Sequence, residues 1–436
     1  MRRYALTALA IGGIVSLFVL VLYFVGAFDG LALWLEETYR TRGLFSGEDV
    51  VRLKWLEITL IVLASIAVSW CVVDVSQMGQ KVLVAGSGLL LMGAVSPALA
   101  LHDWYFEPFS VSCSVLLSSA LAFVFAGTER GMRKRILEEV IGVRVSRRTF
   151  DELLESEQPP DFSGARREVT VLTCRLLDHE ESQERLEAAE LVKLGNLFHR
   201  TVSNFLVAKG AYLDESGPEL VRAYFGVLQP DPDHAAAACA AALELTNRMR
   251  NLSQECESRW FQPLAWGVGI SSGEMTVGVY GTPEHSCYSA VGGETEYARR
   301  LACANRRYGS RILIGPDTYQ LVSSDFVVRP MEMFYDPESG VMTEIYEVLA
   351  RTEDSGEKEN ERRDLFWKGV IFLREERYEE ALDHLSRSRQ PGVEDSVLEF
   401  FLQQAQEGIA DAEGDEGGGT GLQSPDEGHA RLINLM

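Results

Sequence analysis

The stretch that decides the fold is Tyr212-Leu213-Asp214-Glu215-Ser216-Gly217-Pro218-Glu219-Leu220-Val221-Arg222-Ala223-Tyr224-Phe225-Gly226. Apolar residues flank a short Ser-Gly-Pro run, and this pattern predicts a strand, a tight turn and a second strand. Two carboxylates, Glu215 and Glu219, lie on either side of the turn. The hairpin therefore carries two carboxylates between strands that are otherwise largely apolar.

Strands and helices alternate on both sides of this hairpin. The β-branched run Glu168–Cys174 predicts a strand, and the spacing of apolar residues predicts helices over 186–207, 233–249 and 294–305. A second hairpin is expected over 264–280, with its turn at Ser272-Gly273, and short strands are expected near 311–314, 327–333 and 343–349. This order predicts an α+β sandwich with helices on one face of the sheet.

Four apolar runs precede this region, at about 4–28, 56–73, 82–101 and 109–127. A bilayer core requires about 20 apolar residues per helix, so residues 1–128 are expected to form a four-helix transmembrane region. The first run exceeds the apolar length of a secretory signal peptide, about 7–15 residues. We therefore prefer a first span to a cleaved leader.

Basic residues predict the orientation of these spans. Arg2 and Arg3 precede the first span, and Arg130, Arg133, Lys134 and Arg135 follow the fourth. Because Lys and Arg are enriched on the cytoplasmic side, both termini are expected to be cytoplasmic in a multi-pass protein of the inner membrane. The loop from Asp29 to Lys54 then lies outside and is too short for a sizeable sensory domain.

Composition excludes several classes of function. The chain has 436 residues and a formal net charge of -23, from 41 Lys+Arg against 64 Asp+Glu, which argues against nucleic acid as a partner. The seven cysteines form no CxxC pair, so neither a zinc site nor a disulfide framework is predicted.

The remaining segments connect and extend the α+β region. Residues 129–160 are expected to form a coupling helix, continuous from Arg130 to Glu157 and ended by Pro159-Pro160, which either pairs in a dimer or lies on the domain. Residues 353–363 are expected to form a charged linker, 364–410 a helical hairpin, and 411–436 a disordered acidic tail. The hairpin has the spacing of one tetratricopeptide repeat; a generic hairpin packed on the main domain is the alternative.

Several motifs along residues 130–350 resemble the class III adenylate and guanylate cyclases. The hairpin at 211–226 matches that family's metal-binding hairpin, and Arg167–Leu172 matches its opening strand. Segments 267–281 and 288–301 match the two later motifs in the same order. The resemblance implies a ferredoxin-like βαββαβ cyclase-type domain over 161–352, two Mg or Mn ions, and sites shared between two paired domains. It also implies a homodimer or a heterodimer with another cyclase domain.

The residues that the resemblance assigns to metal binding are altered. Arg175 occupies the position of the first metal-binding Asp, and a guanidinium has no lone pair to offer a metal. Glu219 occupies the second position and could still hold a residual Mg or Mn ion. We expect Arg175 and Glu219 to be neighbours and to form an ion pair where the metals would lie; unrelated drift at an unused site is the alternative.

Substrate and transition-state positions are altered as well. Glu215 replaces the base-reading Lys, Ser289 holds the second base-reading position, Glu296 replaces the transition-state Asn, and Arg300 matches the transition-state Arg. Glu296 and Arg300 are thus the catalytic candidates, and Glu215 and Ser289 the substrate-binding ones.

Three functions follow from these substitutions. The leading hypothesis is a membrane-anchored, catalytically impaired pseudocyclase that acts in cyclic-nucleotide signalling by dimerisation or regulation. One alternative is an active adenylate cyclase that converts ATP to cyclic AMP and diphosphate. Another is a scaffold that recruits a protein partner through the helices at 364–406.

Overall fold

The computed structural model describes residues 2–45, 50–75, 78–128, 136–156, 160, 162–260, 263–282, 285–336 and 341–415. The chain divides into two compact units, one of residues 1–142 with 150–159 and one of residues 143–149 with 160–436. Arg130, Arg133, Lys134, Arg135 and Pro159, which carry the orientation and helix-end predictions, lie outside the described residues. So does most of the predicted tail.

The first unit contains four helices that are long and apolar enough to cross a membrane. They are α1 (Arg2–Phe24), α3 (Lys54–Asp74), α4 (Met78–Ala100) and α5 (Pro108–Ala126), close to the four predicted runs. Gly12 lets α1 approach α3 closely, because a Cβ there would lie 2.7 Å from the Cα of Ile66.

The loop between the first two spans carries structure that the sequence pattern did not predict. It contains helix α2 (Asp29–Thr41) and the two-residue strand β1 (Val51–Arg52), which pairs in parallel with β2 (Trp104–Tyr105) from the loop between α4 and α5. The loop therefore contains a helix and a short strand and is more than a plain connection.

The predicted continuous helix from Arg130 to Glu157 is wrong. Residues 136–140 are helical, a 3-10 turn follows at Gly142–Arg144, and a separate helix α6 covers Arg147–Glu155. Gly142 has φ +44, a left-handed conformation that a continuous α-helix does not accommodate.

The second unit is built on an eight-stranded sheet. Its strands are β3 (Ala165–Leu176), β4 (Tyr212–Ser216), β5 (Leu220–Phe225), β6 (Trp266–Gly281), β7 (Ser286–Val291), β8 (Ile312–Ile314), β9 (Phe326–Asp336) and β10 (Val341–Arg351). The order is β4-β5-β3-β6-β8-β10-β9, with β7 paired to the second half of β6. The mixed α+β fold and the hairpin at 211–226 are confirmed.

The predicted turn at Ser272-Gly273 is wrong. Strand β6 runs without interruption, and β3 pairs with it from Ala165↔Val277 to Leu176↔Trp266. Ser272 stays extended because its hydroxyl is satisfied inside the sheet, 2.7 Å from the Thr170 hydroxyl. A long partner strand and buried polar contacts outweigh the local turn preference of Ser-Gly.

Helices cover both faces of the sheet, rather than one face as the sequence pattern predicted. On one face, α8 (Ala188–Ala208) and α9 (His234–Trp260) pack on β3 and β6 through residues such as Leu172, Phe198 and Val268. On the other, α10 (Gly293–Tyr308) lies directly against the backbone of Gly267 and Gly269. Side chains alternate along a strand, so Gly267 and Val268 point to opposite faces. The short helices α7 (His179–Arg185) and α11 (Pro316–Val322) lie on the same face as α8 and α9, and Val322 belongs to the core on that face.

Three C-terminal helices complete the second unit: α12 (Glu357–Arg374), α13 (Tyr378–Ser388) and α14 (Ser396–Asp415). Most of the predicted linker 353–363 is therefore helical, and the predicted tail begins within α14. Phe366, Val370 and Phe401 share a buried cluster with Leu313 and Ile345 of the sheet. The helices thus bury their apolar faces against the sheet.

Candidate active site

Arg175 and Glu219 lie side by side at one end of the sheet. Arg175 is opposite Leu220 in the antiparallel pair of β3 and β5, which brings Glu219 next to it. Its Nη2 atom is 3.7 Å from Oε2 of Glu219. This distance defines an ion pair but exceeds the usual range of a hydrogen bond. The expected pairing of these two side chains is present in the structure.

The Arg175 guanidinium has a second neighbour on α10. Its Nη1 atom donates to Sγ of Cys303 at 3.2 Å. The side chains of Arg175 and Glu219 are 24% and 39% exposed, so solvent reaches both. A weak ion pair between partly exposed groups contributes little to stability, yet it places a positive charge at this end of the sheet.

A second polar group lies on the β4–β5 hairpin. Arg222 is the cross-strand neighbour of Glu215, and its Nη2 atom lies 2.9 Å from Oε2 of Glu215 and 2.8 Å from Oδ2 of Asp214. Its Nε atom donates to the same Asp214 oxygen at 2.9 Å. Glu215 therefore carries its own counter-ion. Sequence reasoning missed Arg222, although it occupies the place of a Met in the motif that the hairpin resembles.

Asp214 is the centre of this group. Ser289 Oγ donates to Oδ1 of Asp214 at 2.5 Å, and the Tyr224 hydroxyl donates to Oδ2 at 3.1 Å. Burial, and then the nearby Asp214 carboxylate, raises the pKa of Tyr224, which keeps its hydroxyl protonated as a donor. Arg144 adds a hydrogen bond of 2.7 Å to the backbone carbonyl of Asp214. The structure thus brings Glu215 and Ser289 together through Asp214 and Arg222.

The two catalytic candidates lie one turn apart on α10. Oε1 of Glu296 accepts from Nε of Arg300 at 3.0 Å, and the same carboxylate accepts from Nη2 and Nε of Arg299 at 2.6 and 2.7 Å. Hydrogen bonds from Arg299, and then from Arg300, lower the pKa of Glu296 to about 2. Glu296 is therefore a full carboxylate at neutral pH, and it engages the Arg300 side chain.

The residues present do not fit a pair of divalent ions. Across the described part of the chain, no group of three or more His, Cys, Asp or Glu side chains is placed to hold a metal ion. Glu219 is a single carboxylate beside a guanidinium, whereas Mg²⁺ and Mn²⁺ need several oxygen ligands. The sequence analysis allowed a residual Mg or Mn ion at Glu219, but the described residues do not supply the further ligands that such an ion needs.

Comparison with known proteins shows that the chain is similar to nucleotide cyclases. No protein-family model matches the chain. It is 23% identical over 251 residues to a terminal-differentiation-specific adenylate cyclase of Dictyostelium discoideum, covering 55% of this chain and 11% of that protein. It is 24% identical over 173 residues to a soluble guanylate cyclase of Caenorhabditis elegans, covering 40% of this chain and 24% of that protein. The second unit contains a class III nucleotide cyclase-like domain.

The chain is also similar to an uncharacterised protein and to one solved structure. An uncharacterised protein of Mycobacterium tuberculosis is 24% identical over 211 residues, covering 46% of this chain and 38% of its own length. The crystal structure of the adenylyl cyclase CyaB from P. aeruginosa is 26% identical, covers 45% of this chain and 100% of that chain, and has a TM-score of 0.41. The chain spans less than two fifths of the length of these three curated relatives.

Proposed function

We propose that this protein is a membrane-anchored class III cyclase homologue whose cyclase-like domain is catalytically impaired and acts in cyclic-nucleotide signalling by dimerisation or regulation. The observation that carries the proposal is the Arg175 guanidinium, 3.7 Å from Glu219 at the place where the resemblance puts two metal-binding carboxylates. Two divalent ions would activate the attacking ribose hydroxyl and neutralise the phosphates. A guanidinium cannot coordinate those ions and repels them.

The transition-state positions support the same conclusion. The resemblance assigns Arg300 to the developing phosphate charge, but its Nε donates to the Glu296 carboxylate. Glu296 stands where the family has a neutral amide, and its pKa of about 2 keeps it negative. An anion beside a reacting phosphate opposes the charge that forms in the transition state. Loss of one oriented charge-stabilising group commonly costs about 10²–10³ in rate, and here several are changed.

A cyclase assay on the full chain in lipid nanodiscs tests this proposal. ATP or GTP is supplied with manganese, and the wild type is compared with Arg300→Ala and with Arg166→Ala. Arg166 is an exposed residue of β3 that pairs with Glu274, away from the candidate site. The proposal expects cyclic nucleotide at background level in all three. Product from the wild type that is lost in Arg300→Ala and kept in Arg166→Ala would refute it.

An active cyclase is the second candidate. The sequence motifs suggested an adenylate cyclase that converts ATP to cyclic AMP and diphosphate, whereas the surroundings of Glu215 favour a guanine base. The Glu215 side chain is 55% exposed although Arg222 contacts it, so the carboxylate is accessible. A carboxylate accepts hydrogen bonds only, and guanine presents N–H donors, including its exocyclic amino group, where adenine presents a ring acceptor. If this candidate is correct, product should form from GTP in preference to ATP. Glu215→Lys should reverse that preference.

We also propose that α1, α3, α4 and α5 anchor the protein in the inner membrane, with both termini cytoplasmic. They contain candidate spans of 19 to 22 apolar residues, which supports this placement. Reporter fusions after Thr41 and after Thr128 test the orientation. Phosphatase activity at the first position and its absence at the second are expected. The reverse pattern would refute the orientation.

A further inference from the structure

Helix α2 (Asp29–Thr41) lies in the first unit but has neither the length nor the composition of a span. Its 13 residues extend about 20 Å at 1.5 Å per residue, and they include Asp29, Glu36, Glu37 and Arg40. A hydrocarbon core about 30 Å thick excludes such a helix as a crossing element. Helix α2 is therefore not a membrane-crossing helix.

The bundle holds one face of α2 at two points. The carbonyl of Ala32 accepts a hydrogen bond from the Tyr105 hydroxyl at 2.5 Å, and Ala32 is buried. The hydroxyl of Tyr39 donates to Ser96 at 3.1 Å, and Ser96 in turn donates to the carbonyl of Phe106 at 2.8 Å. Because the two contacts are seven residues apart, they fix which flank of α2 faces away from the bundle.

That outer flank is apolar at its N-terminal half. Leu31, Leu33 and Trp34 are 48%, 66% and 59% exposed. Single exposed apolar residues are ordinary on protein surfaces, but three within four residues form a patch. More than half of the Trp34 surface is therefore left uncovered by the described residues.

Neighbouring segments extend the patch with the same chemistry. Phe24 and Val25 end the first span and are exposed, as are Trp55 at the start of α3 and Trp104 in β2. β1 leads into α3 and pairs with β2, so these residues lie at the same end of the four helices as α2. Trp34 of α2, Trp55 of α3 and Trp104 of β2 thus lie at one end of the candidate spans.

We propose that α2 is an interfacial helix that binds the headgroup layer of the phospholipid bilayer through Leu31, Leu33 and Trp34. Tryptophan is enriched at membrane–water interfaces, and amphipathic helices place their apolar face at the boundary of headgroups and acyl chains. A lipid surface fits better than a protein partner because the patch continues the exposed apolar flank of α1. The exposed residues Arg42 and Lys54 supply positive charge for lipid phosphates.

This inference rests on the proposed placement of the four helices in a bilayer, so its test must separate the two. The full chain is reconstituted in nanodiscs of phosphatidylcholine brominated on its acyl chains, which quench tryptophan emission by contact. The chain has seven tryptophans, so each contribution is isolated by a Trp→Phe variant. Trp34→Phe is compared with Trp70→Phe, an exposed position within α3, and with Trp367→Phe in the second unit.

The lipid-quenched part of the emission should fall in Trp34→Phe and Trp70→Phe but not in Trp367→Phe. Bromines near the headgroup should also quench Trp34 more strongly than bromines near the chain ends. A fall in Trp70→Phe with none in Trp34→Phe would overturn the interfacial helix and leave the spans in place. No fall in either variant would overturn the membrane placement and, with it, this inference.

Discussion

At the scale of single residues, two arginines explain how this domain differs from the family it resembles. Arg175 places a positive charge beside Glu219, and Arg222 holds Asp214 and Glu215 on the hairpin. Each arginine pairs with carboxylates of this chain, and no divalent ion is needed to balance them. Both arginines are therefore paired with carboxylates of the chain itself.

The hairpin network predicts the effect of removing Arg222. Arg222→Met would leave Asp214 and Glu215 adjacent without a cation, and the Asp214 side chain is only 8% exposed. Ser289 and Tyr224 would still donate to Asp214, but the carboxylate would lose its charged hydrogen bonds. Hydrogen bonds to charged groups contribute about 1.5–3 kcal/mol, so the free energy of unfolding should fall by ~2 kcal/mol. Chemical denaturation measures it, with the exposed pair variant Arg166→Met as the control. Equal stability of the two variants would show that the network contributes nothing.

A buried histidine predicts the pH dependence of stability. His234 Nδ1 lies 2.6 Å from the Thr170 hydroxyl, and burial lowers its pKa. The unfolded chain takes up a proton near pH 6.5 while the folded chain resists it, so stability should fall as pH drops below about 6.5. Melting temperatures at pH 7 and pH 5 should therefore differ more for the wild type than for His234→Gln. The same pH slope in both would assign the dependence to other groups.

At the scale of elements, strand β6 and helix α10 show where sequence patterns suffice and where they fail. Periodicity predicted both elements, but Ser272-Gly273 predicted a turn where the strand continues. The turn preference of Ser272-Gly273 is outweighed because β3 pairs with β6 from Trp266 to Val277. The Ser272 hydroxyl also accepts a hydrogen bond from Thr318 at 2.9 Å. These contacts are distant in sequence, so a local pattern could not contain them.

In the candidate site, too, the sequence could predict some features and not others. Positions matched to motifs gave Arg175, Glu215, Glu219, Ser289, Glu296 and Arg300, and strand pairing could anticipate the Arg175–Glu219 contact. The sequence could not show that Asp214 joins Ser289 to Arg222, because that link closes across 75 residues. It also could not show that Arg299 donates to the same Glu296 carboxylate as Arg300.

Close packing of α10 on β6 predicts a large effect from one methyl group. A Cβ at Gly269 would collide with the backbone of Ala298 and Ala302, and backbone cannot move aside as a flexible side chain does. Overpacking costs about 1–3 kcal/mol, so Gly269→Ala should lower the free energy of unfolding by at least that amount. Gly293→Ala, where nothing lies within 4 Å, is the matched control. Similar losses in both would contradict the packing account.

A buried ion pair fixes the C-terminal helices to the sheet. Arg329 on β9 pairs with Glu347 and with both oxygens of Asp395, which precedes α14. Arg329→Met would leave two carboxylates uncompensated, and breaking such a buried pair costs about 3–5 kcal/mol. We expect a loss of stability in that range by denaturation, against almost none for Arg387→Met on the exposed face of α13. A small loss in Arg329→Met would mean that the helices attach by apolar packing alone.

At the scale of the whole molecule, the structure changes how the scaffold alternative can be tested. Helices α12–α14 share a buried cluster with the sheet, through Phe366 and Phe401 against Leu313 and Ile345. Removing residues 356–436 would therefore expose that face, and a lost phenotype would not distinguish a missing partner site from an unfolded domain. The tetratricopeptide interpretation stays a prediction.

We expect this deletion to destabilise the cyclase-like domain itself. The chain ending at Ser355 should show a lower melting temperature and should bind a hydrophobic dye, because the apolar face of the sheet is uncovered. Circular dichroism and dye fluorescence measure both effects on the full and shortened chains. An unchanged melting transition would instead support an independent C-terminal module.

The most direct test of the central claim, that Arg175 has replaced the metal ions, is a manganese titration of the full chain followed by electron paramagnetic resonance. The wild type is compared with the double variant Arg175→Asp and Glu219→Asp, which places an aspartate at both positions, and with Arg166→Asp on the same strand. The account predicts no manganese bound by the wild type or Arg166→Asp at concentrations that saturate the double variant. Saturable binding by the wild type, lost in Glu219→Ala, would contradict it.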